Sequence, residues 1–348
     1  MRHLGEATSA SGALLLAAVA ILLGCGSHEV EPQFAPPKGF YNYAPSVIRL
    51  DEKSQVAYYC TNTEPYVIRD SIGFRKASLV RGKWQWGDEK IVLGPGVAGW
   101  DAVHVCDPSI VAGEFRDGAN TYNFALFYLG CDTTNVTHNQ VGVAFSRDPA
   151  GPWQKWELNP IAPYPEYDRW WGTGQPSAVS IDSRGRIVLF YTRGDGNSTR
   201  VVARELDLSD LTFPAIGEEF EVTVDGLTAA DGSKPIFHNA EFTRLPGGEY
   251  VVVRSRHPFG TEYPDFIASE VQVAALSGGF LDLKRGRWEV ISNIGYQVTG
   301  WPRNHNVGMV RDRYGWVADG SEMEIMLSLS ALGRDSLWTY RVAIVKTS

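Results

Sequence analysis

The 348-residue chain is 44% hydrophobic, 12% aromatic and 21% charged, with a formal net charge of −8. That apolar content is enough to bury a core, so wholesale disorder is excluded, and the acidic balance gives nucleic-acid binding no electrostatic support. Thirty-six glycines and nineteen prolines supply many turns, which suits many short strands better than a few long helices.

The first residues read as an address. Arg2 and His3 precede an apolar run from Ala13 to Leu23. The run falls short of the roughly 20 residues that span a bilayer and fits a secretory h-region. It ends in Leu22-Leu23-Gly24-Cys25, which resembles a bacterial lipobox. The resemblance implies a lipoprotein signal peptide over residues 1–24 and a lipid on Cys25, anchoring the protein to a membrane of the bacterial cell envelope outside the cytoplasm. Gly26 and Ser27 carry no Asp retention signal, which favours the outer membrane or cell surface. Residues 25–38, with Pro32, Pro36 and Pro37, read as the lipidated cysteine and a short tether.

Residues 39–348 repeat. Ala44-Pro45-Ser46, Asp107-Pro108-Ser109 and Gln175-Pro176-Ser177 each open a β-type run, and Asn239 and Asn306 continue the series at steps of 63, 68, 64 and 67 residues. An aromatic second strand follows in the same place, as in Val56–Cys60, Phe124–Tyr128 and Ile187–Tyr191. In three units a Trp-led fourth strand comes later, at Trp84, Trp153 and Trp288. Radially repeated four-stranded antiparallel units predict an all-β fold, a five-bladed β-propeller. A two-layer sandwich leaves the period unexplained. The fifth unit shows strands near 323–331 and 337–345 but no fourth, so the stretch before Gly39 is expected to close the ring. Cys60, Cys106 and Cys131 lack C-x-x-C spacing, which argues against zinc; in an oxidising compartment one pair can bridge, leaving one over.

On this architecture positions 44, 107, 175, 239 and 306 ring one mouth of the central channel. Glycoside hydrolysis needs two carboxyl groups flanking one linkage, and the mouth offers Asp107 and Glu241, with Asp101 in the preceding loop as an alternative base. Asn239 and Glu241 are two apart on a strand and are expected to share a face. The loops before the inner strands carry Tyr41 and Tyr43, then Trp100 and His104, then Asp168, Arg169, Trp170 and Trp171, and last Trp301 and Arg303. Aromatic faces stack on sugars while amides and guanidinium groups read hydroxyls. Trp100, His104, Trp171, Gln175, Asn239, Trp301, Arg303 and Asn306 are therefore the candidate carbohydrate contacts. Some of the Trp are equally suited to packing between blades. His305 is a candidate to face the channel and hold a cation.

Asp107-Pro108-Ser109-Ile110-Val111, Leu126-Phe127-Tyr128, Ser146–Trp153, Gly174-Gln175-Pro176-Ser177 and Arg303-Asn304-His305-Asn306 together resemble the five-bladed propeller glycosidases, in particular glycoside hydrolase family 43 and its relatives. The resemblance implies hydrolysis of arabinose-, xylose- or galactose-type linkages, usually with inversion, with no required cofactor and with calcium as a structural candidate in the channel. It places the acid on Glu241, the base position on Ala44 and the pKa-setting position on Gln175, two of which lack a carboxylate. Asp107 then carries the Asp-Pro pattern on the second blade. These departures keep a second expectation open, a non-catalytic glycan-binding surface lipoprotein with a degenerate site.

Overall fold

A computed structural model describes residues 28–347 apart from 136, 165–169, 196–197 and 319–322. The signal peptide 1–24, Cys25, Asp168 and Arg169 lie outside the described residues.

The chain forms five four-stranded antiparallel blades around one axis. Blade 1 runs through Asn42–Asp51, Ser54–Asn62, Asp70–Val80 and Lys83–Trp86. Blade 2 is His104–Asp117, Asn120–Cys131, Gln140–Ser146 and the short Gln154–Lys155. Blade 3 is Gly172–Ser180, Arg186–Gly194 and Thr199–Asp207, edged by Ala215–Ile216. Blade 4 is Ala240–Arg244, Tyr250–Ser255, Val271–Leu276 and Trp288–Ile294. Blade 5 is Arg303–Asp312, Ile325–Ser330 and Arg341–Thr347, with His28–Phe34 as its outer strand. That outer strand pairs antiparallel from His28↔Thr347 to Phe34↔Val342, so most of the stretch read as tether is part of the propeller. Blades 5 and 1 are also joined by parallel pairing of their inner strands, Val47↔Val310. The one α-helix among the described residues is Tyr296–Thr299.

The near-continuous apolar reading of each second strand has a simple cause. Its side chains alternate between two neighbouring blades, and both faces are buried. Val56 and Tyr58 pack toward Ile110 and Leu126 of blade 2, while Ala57 and Tyr59 pack toward Val310 and Met326 of blade 5. The same alternation gives the cores between blades 2 and 3 around Phe127 and Leu189, between 3 and 4 around Phe190 and Phe242, and between 4 and 5 around Val253 and Ile325.

Near the axis the repeat has a second function. Ser46 Oγ accepts the N–H of Ile110 at 3.3 Å, Ser109 Oγ that of Ala178 at 2.9 Å, and Ser177 Oγ that of Phe242 at 2.9 Å. Each serine of the Pro-Ser motif thus ties its blade to the next. Two residues after Asn239, the corresponding place is held by Glu241, whose Oε2 accepts the N–H of Met309 in blade 5. Its other oxygen lies 3.0 Å from the guanidinium of fully buried Arg311. Arg311 in turn donates to Ala178 O (3.0 Å), Phe242 O (3.2 Å), Ile110 O (3.3 Å) and Ser46 Oγ (3.4 Å). One side chain from blade 5 therefore reaches the other four blades and fills the axis.

Removing one partner of a buried ion pair costs about 3–5 kcal/mol, because the other is left uncompensated. Arg311→Met is expected to lose stability of that order in urea unfolding at pH 7, with Arg311→Met/Glu241→Leu recovering part of it. A loss below about 1 kcal/mol would show that the axial pair holds little.

Candidate functional site

All five ring positions are left-handed despite not being glycine: Ala44 (φ 52°), Asp107 (φ 44°), Gln175 (φ 51°), Asn239 (φ 47°) and Asn306 (φ 43°). Such backbone is unfavourable for side chains bearing a Cβ. It recurs here as an irregularity in the inner strand, with register shifts between Tyr43/Ser46, Cys106/Ser109, Gly174/Ser177 and His305/Gly308. The kink directs the ring residues to the axis and leaves the residue two further on to bridge the blades. Ala44, Asp107, Gln175, Asn239 and Glu241 line a narrow neck. Beyond it opens a funnel of about 490 Å³.

The structure separates the candidates. Asp107, His104, Trp171, Gln175, His305 and Asn306 line the funnel. Asn239 stays in the neck, its N–H donated to Gln175 Oε1 at 3.0 Å. Glu241 is a neck residue bound to Arg311 and Met309. Burial pushes its carboxyl up to about 7 while Arg311 and the Met309 N–H pull it back; a proton on it would leave Arg311 a buried, uncompensated cation. Asp101 is held by Lys155 Nζ at 2.6 Å and Tyr128 OH at 3.1 Å, outside the funnel lining. Trp100 stacks on Tyr128 with centroids 5.6 Å apart, against Gly130 and Gly142, where any Cβ would collide with its ring. Trp301 packs against the core between blades 4 and 5 under the Arg341 guanidinium. Arg303 is buried, donating to the carbonyls of Pro264, Glu262 and Pro302. Trp100, Trp301 and Arg303 are thus wall and scaffold rather than lining.

Asp107 is the ring's one carboxyl. Cys60 and Cys106 form a disulfide, and Cys131 is a buried free thiol. The Asp107 N–H points at Cys60 Sγ at 2.9 Å, and its carboxyl lies 3.8 and 3.6 Å from the two sulfurs. Disulfide sulfurs have no proton to give, and no other donor reaches that carboxyl among the described residues. Burial, then the nearby charge of Asp70, push it up to about 7. Beside it Asp70 Oδ1 accepts from Tyr41 OH (2.8 Å) and Tyr43 OH (3.1 Å), while Oδ2 lies 2.9 Å from His104 Nδ1. The Asp70 N–H is also 3.2 Å from Nδ1. A proton on Nδ1, toward the Asp70 carboxylate, would leave Nε2 as the acceptor, whereas the bond donated by the Asp70 N–H uses Nδ1 as acceptor. The second-strand to third-strand loops of all blades open on this same face. Asp70, which ends one of them, could have been found by following the repeat into those loops.

His305 Nδ1 is 2.6 Å from Asn306 Oδ1, and its buried Nε2 has no partner. Among the described residues the one converging set of three metal-ligating types is Cys60, Cys106 and Asp107. Two of these are joined to each other, and calcium takes oxygen ligands. Among the described residues that set does not include His305.

No protein-family description matches the chain, and no curated protein is similar to it in sequence. Solved structures are similar in fold. A family 117 glycoside hydrolase from Zobellia galactanivorans is 12% identical, with 93% of this chain and 90% of that one covered at a TM-score of 0.59. An α-L-arabinofuranosidase from Podospora anserina in complex with cellotriose is 13% identical over 90% and 94% at 0.56. An endo-arabinase from Bacteroides thetaiotaomicron is 15% identical over 92% and 96% at 0.57. The chain has the β-propeller fold of these glycoside hydrolases.

Asp107 sets a pH dependence of stability. Its native value of about 7 lies above the ordinary 3.8, so the folded state holds a proton that the unfolded chain releases. Its contribution is fully present below about pH 4 and is lost as pH rises through about 7. Glu241 adds in the same direction. Asp107→Asn is expected to melt higher relative to the parent at pH 8 than at pH 5. An unchanged difference between the two pH values would refute the raised carboxyl.

Proposed function

We propose that the chain is a glycoside hydrolase acting on a saccharide held in the funnel, with Asp107 as proton donor. The observation carrying this reading is the pairing, in one funnel, of a carboxyl raised to about 7 with an imidazole oriented by a second carboxylate. Split environments of this kind assign acid and base. Asp107 gives its proton to the leaving oxygen as the glycosidic bond breaks. His104, oriented by Asp70, takes a proton from the water that attacks the anomeric carbon. Both groups return to their starting states when solvent carries the proton from His104 back to Asp107. Arabinose-, xylose- and galactose-type linkages are the first substrates to try, since arabinose-active enzymes are among the proteins of similar fold.

Ala44, Gln175 and Asn239 give a second reading its support. With Asn306, four of the five ring positions carry no carboxylate, as a glycan-binding protein without turnover would have it. We further propose that the lipid on Cys25 places the propeller in the bacterial cell envelope, where such glycans are met.

Sugar release from arabinans, xylans, galactans and aryl glycosides is expected to decline above about pH 7, as Asp107 loses its proton. Asp107→Asn should lower kcat by roughly 100-fold or more. Release unaffected by Asp107→Asn sinks the assignment, and a folded protein that binds glycans without releasing any sugar establishes the second reading. Cys25→Ser in the full chain should move the protein out of the membrane fraction; retention there overturns the anchor.

A further inference from the structure

The funnel is unlike on its two sides. One side carries Asp70, His104, Asp107 and Gln175. The other, between blades 4 and 5, carries His238, Ser255, His305 and Asn306 toward the neck and an apolar outer wall of Phe259, Phe266, Ile267, Ala268, Leu337 and Tyr340. Arg303 braces this second side from behind through the Glu262 and Pro264 carbonyls, Asn304 Nδ2 donates to Ser269 O at 2.9 Å, and the Gly333 N–H donates to Tyr263 O at 2.9 Å. The apolar surface is therefore built in place before any ligand arrives.

Charge narrows the ligand further. No Lys or Arg lines the funnel among the described residues, and the guanidinium of Arg303 is committed to carbonyls. Burial lowers His238 to about 4 and His305 to about 3, so neither is a cation near neutrality. An anionic sugar would meet the Asp70 carboxylate with no Lys or Arg beside it, which costs heavily in a desolvated site. Ser255 and His305 also line the funnel, with Oγ and Nε2 buried and without a partner. The floor narrows to the neck and is stopped at the axis by Arg311, so a chain end fits where a chain middle does not.

We infer that the blade 4–5 wall is a subsite for an apolar substituent, so that the preferred ligand is an uncharged terminal sugar bearing a methyl group, as in a 6-deoxyhexose. This rests on the saccharide reading above. A hydroxyl placed against that wall would lose its water without gaining a partner, whereas a methyl loses nothing and is buried.

The test is a titration of tryptophan fluorescence, since Trp171 lines the funnel, with sugars that differ at one carbon alone. In the galacto series these are methyl β-D-fucopyranoside, methyl β-D-galactopyranoside and methyl β-D-galactopyranosiduronate; the matching quinovoside, glucoside and glucuronide form the gluco series. In the series whose ring the funnel accepts, the deoxy sugar should bind roughly tenfold tighter than its parent, the scale of one apolar group in a fitted pocket, and the uronide should not bind. Phe266→Ala, at a rim position 59% exposed, should cut the preference to about twofold. Equal binding of deoxy and parent sugars, or binding of a uronide, overturns the inference and leaves the saccharide reading standing. If no sugar of either series binds, both fall.

Discussion

The buried guanidinium of Arg311 is the constraint around which the propeller is organised. A propeller leaves an axial hole where inner strands meet, and the carbonyls that face it need donors. A single planar group with five N–H donors meets that need, contacting residues of blades 1, 2, 3 and 4 from its place in blade 5. A charge buried this way requires a counter-ion, and Glu241 supplies it while also accepting the Met309 N–H. The carboxyl best placed by sequence for chemistry is thereby committed to holding the axis.

That commitment decides what is left for chemistry. The funnel ends at the neck, and among the described residues the carboxyls lining it are Asp107 and Asp70. Their surroundings differ in kind. Asp70 accepts from two tyrosine hydroxyls and lies against His104, whereas Asp107 sits against a disulfide that donates nothing. The disulfide thus joins blades 1 and 2 and also keeps Asp107 without a donor, which favours its protonated form.

Much of the architecture was legible in the sequence because the repeat is chemical as well as periodic. The aromatic second strands marked the same place in successive units, and the spacing of Ala44, Asp107, Gln175, Asn239 and Asn306 located all five left-handed ring residues. The same spacing gave only part of Glu241. It does line the neck with Asn239, but the left-handed turn at Asn239 also makes it the counterpart of Ser46, Ser109 and Ser177. Trp100, Trp301 and Arg303 were misplaced for another reason. A loop position next to the mouth fixes proximity but not direction, and packing against Tyr128, Arg341 and the Pro264 carbonyl turned these side chains away. Asp70 and the apolar wall lay in loops that the inner-strand period does not mark.

The most direct test is a crystal structure of the chain with a bound oligosaccharide, refined with attention to which carboxyl touches the sugar. The expected result is a sugar terminus in the funnel within hydrogen-bond reach of Asp107, stopped above an intact Arg311–Glu241 pair. A sugar seated against Glu241 with Arg311 displaced, or one bound wholly outside the funnel, would contradict it.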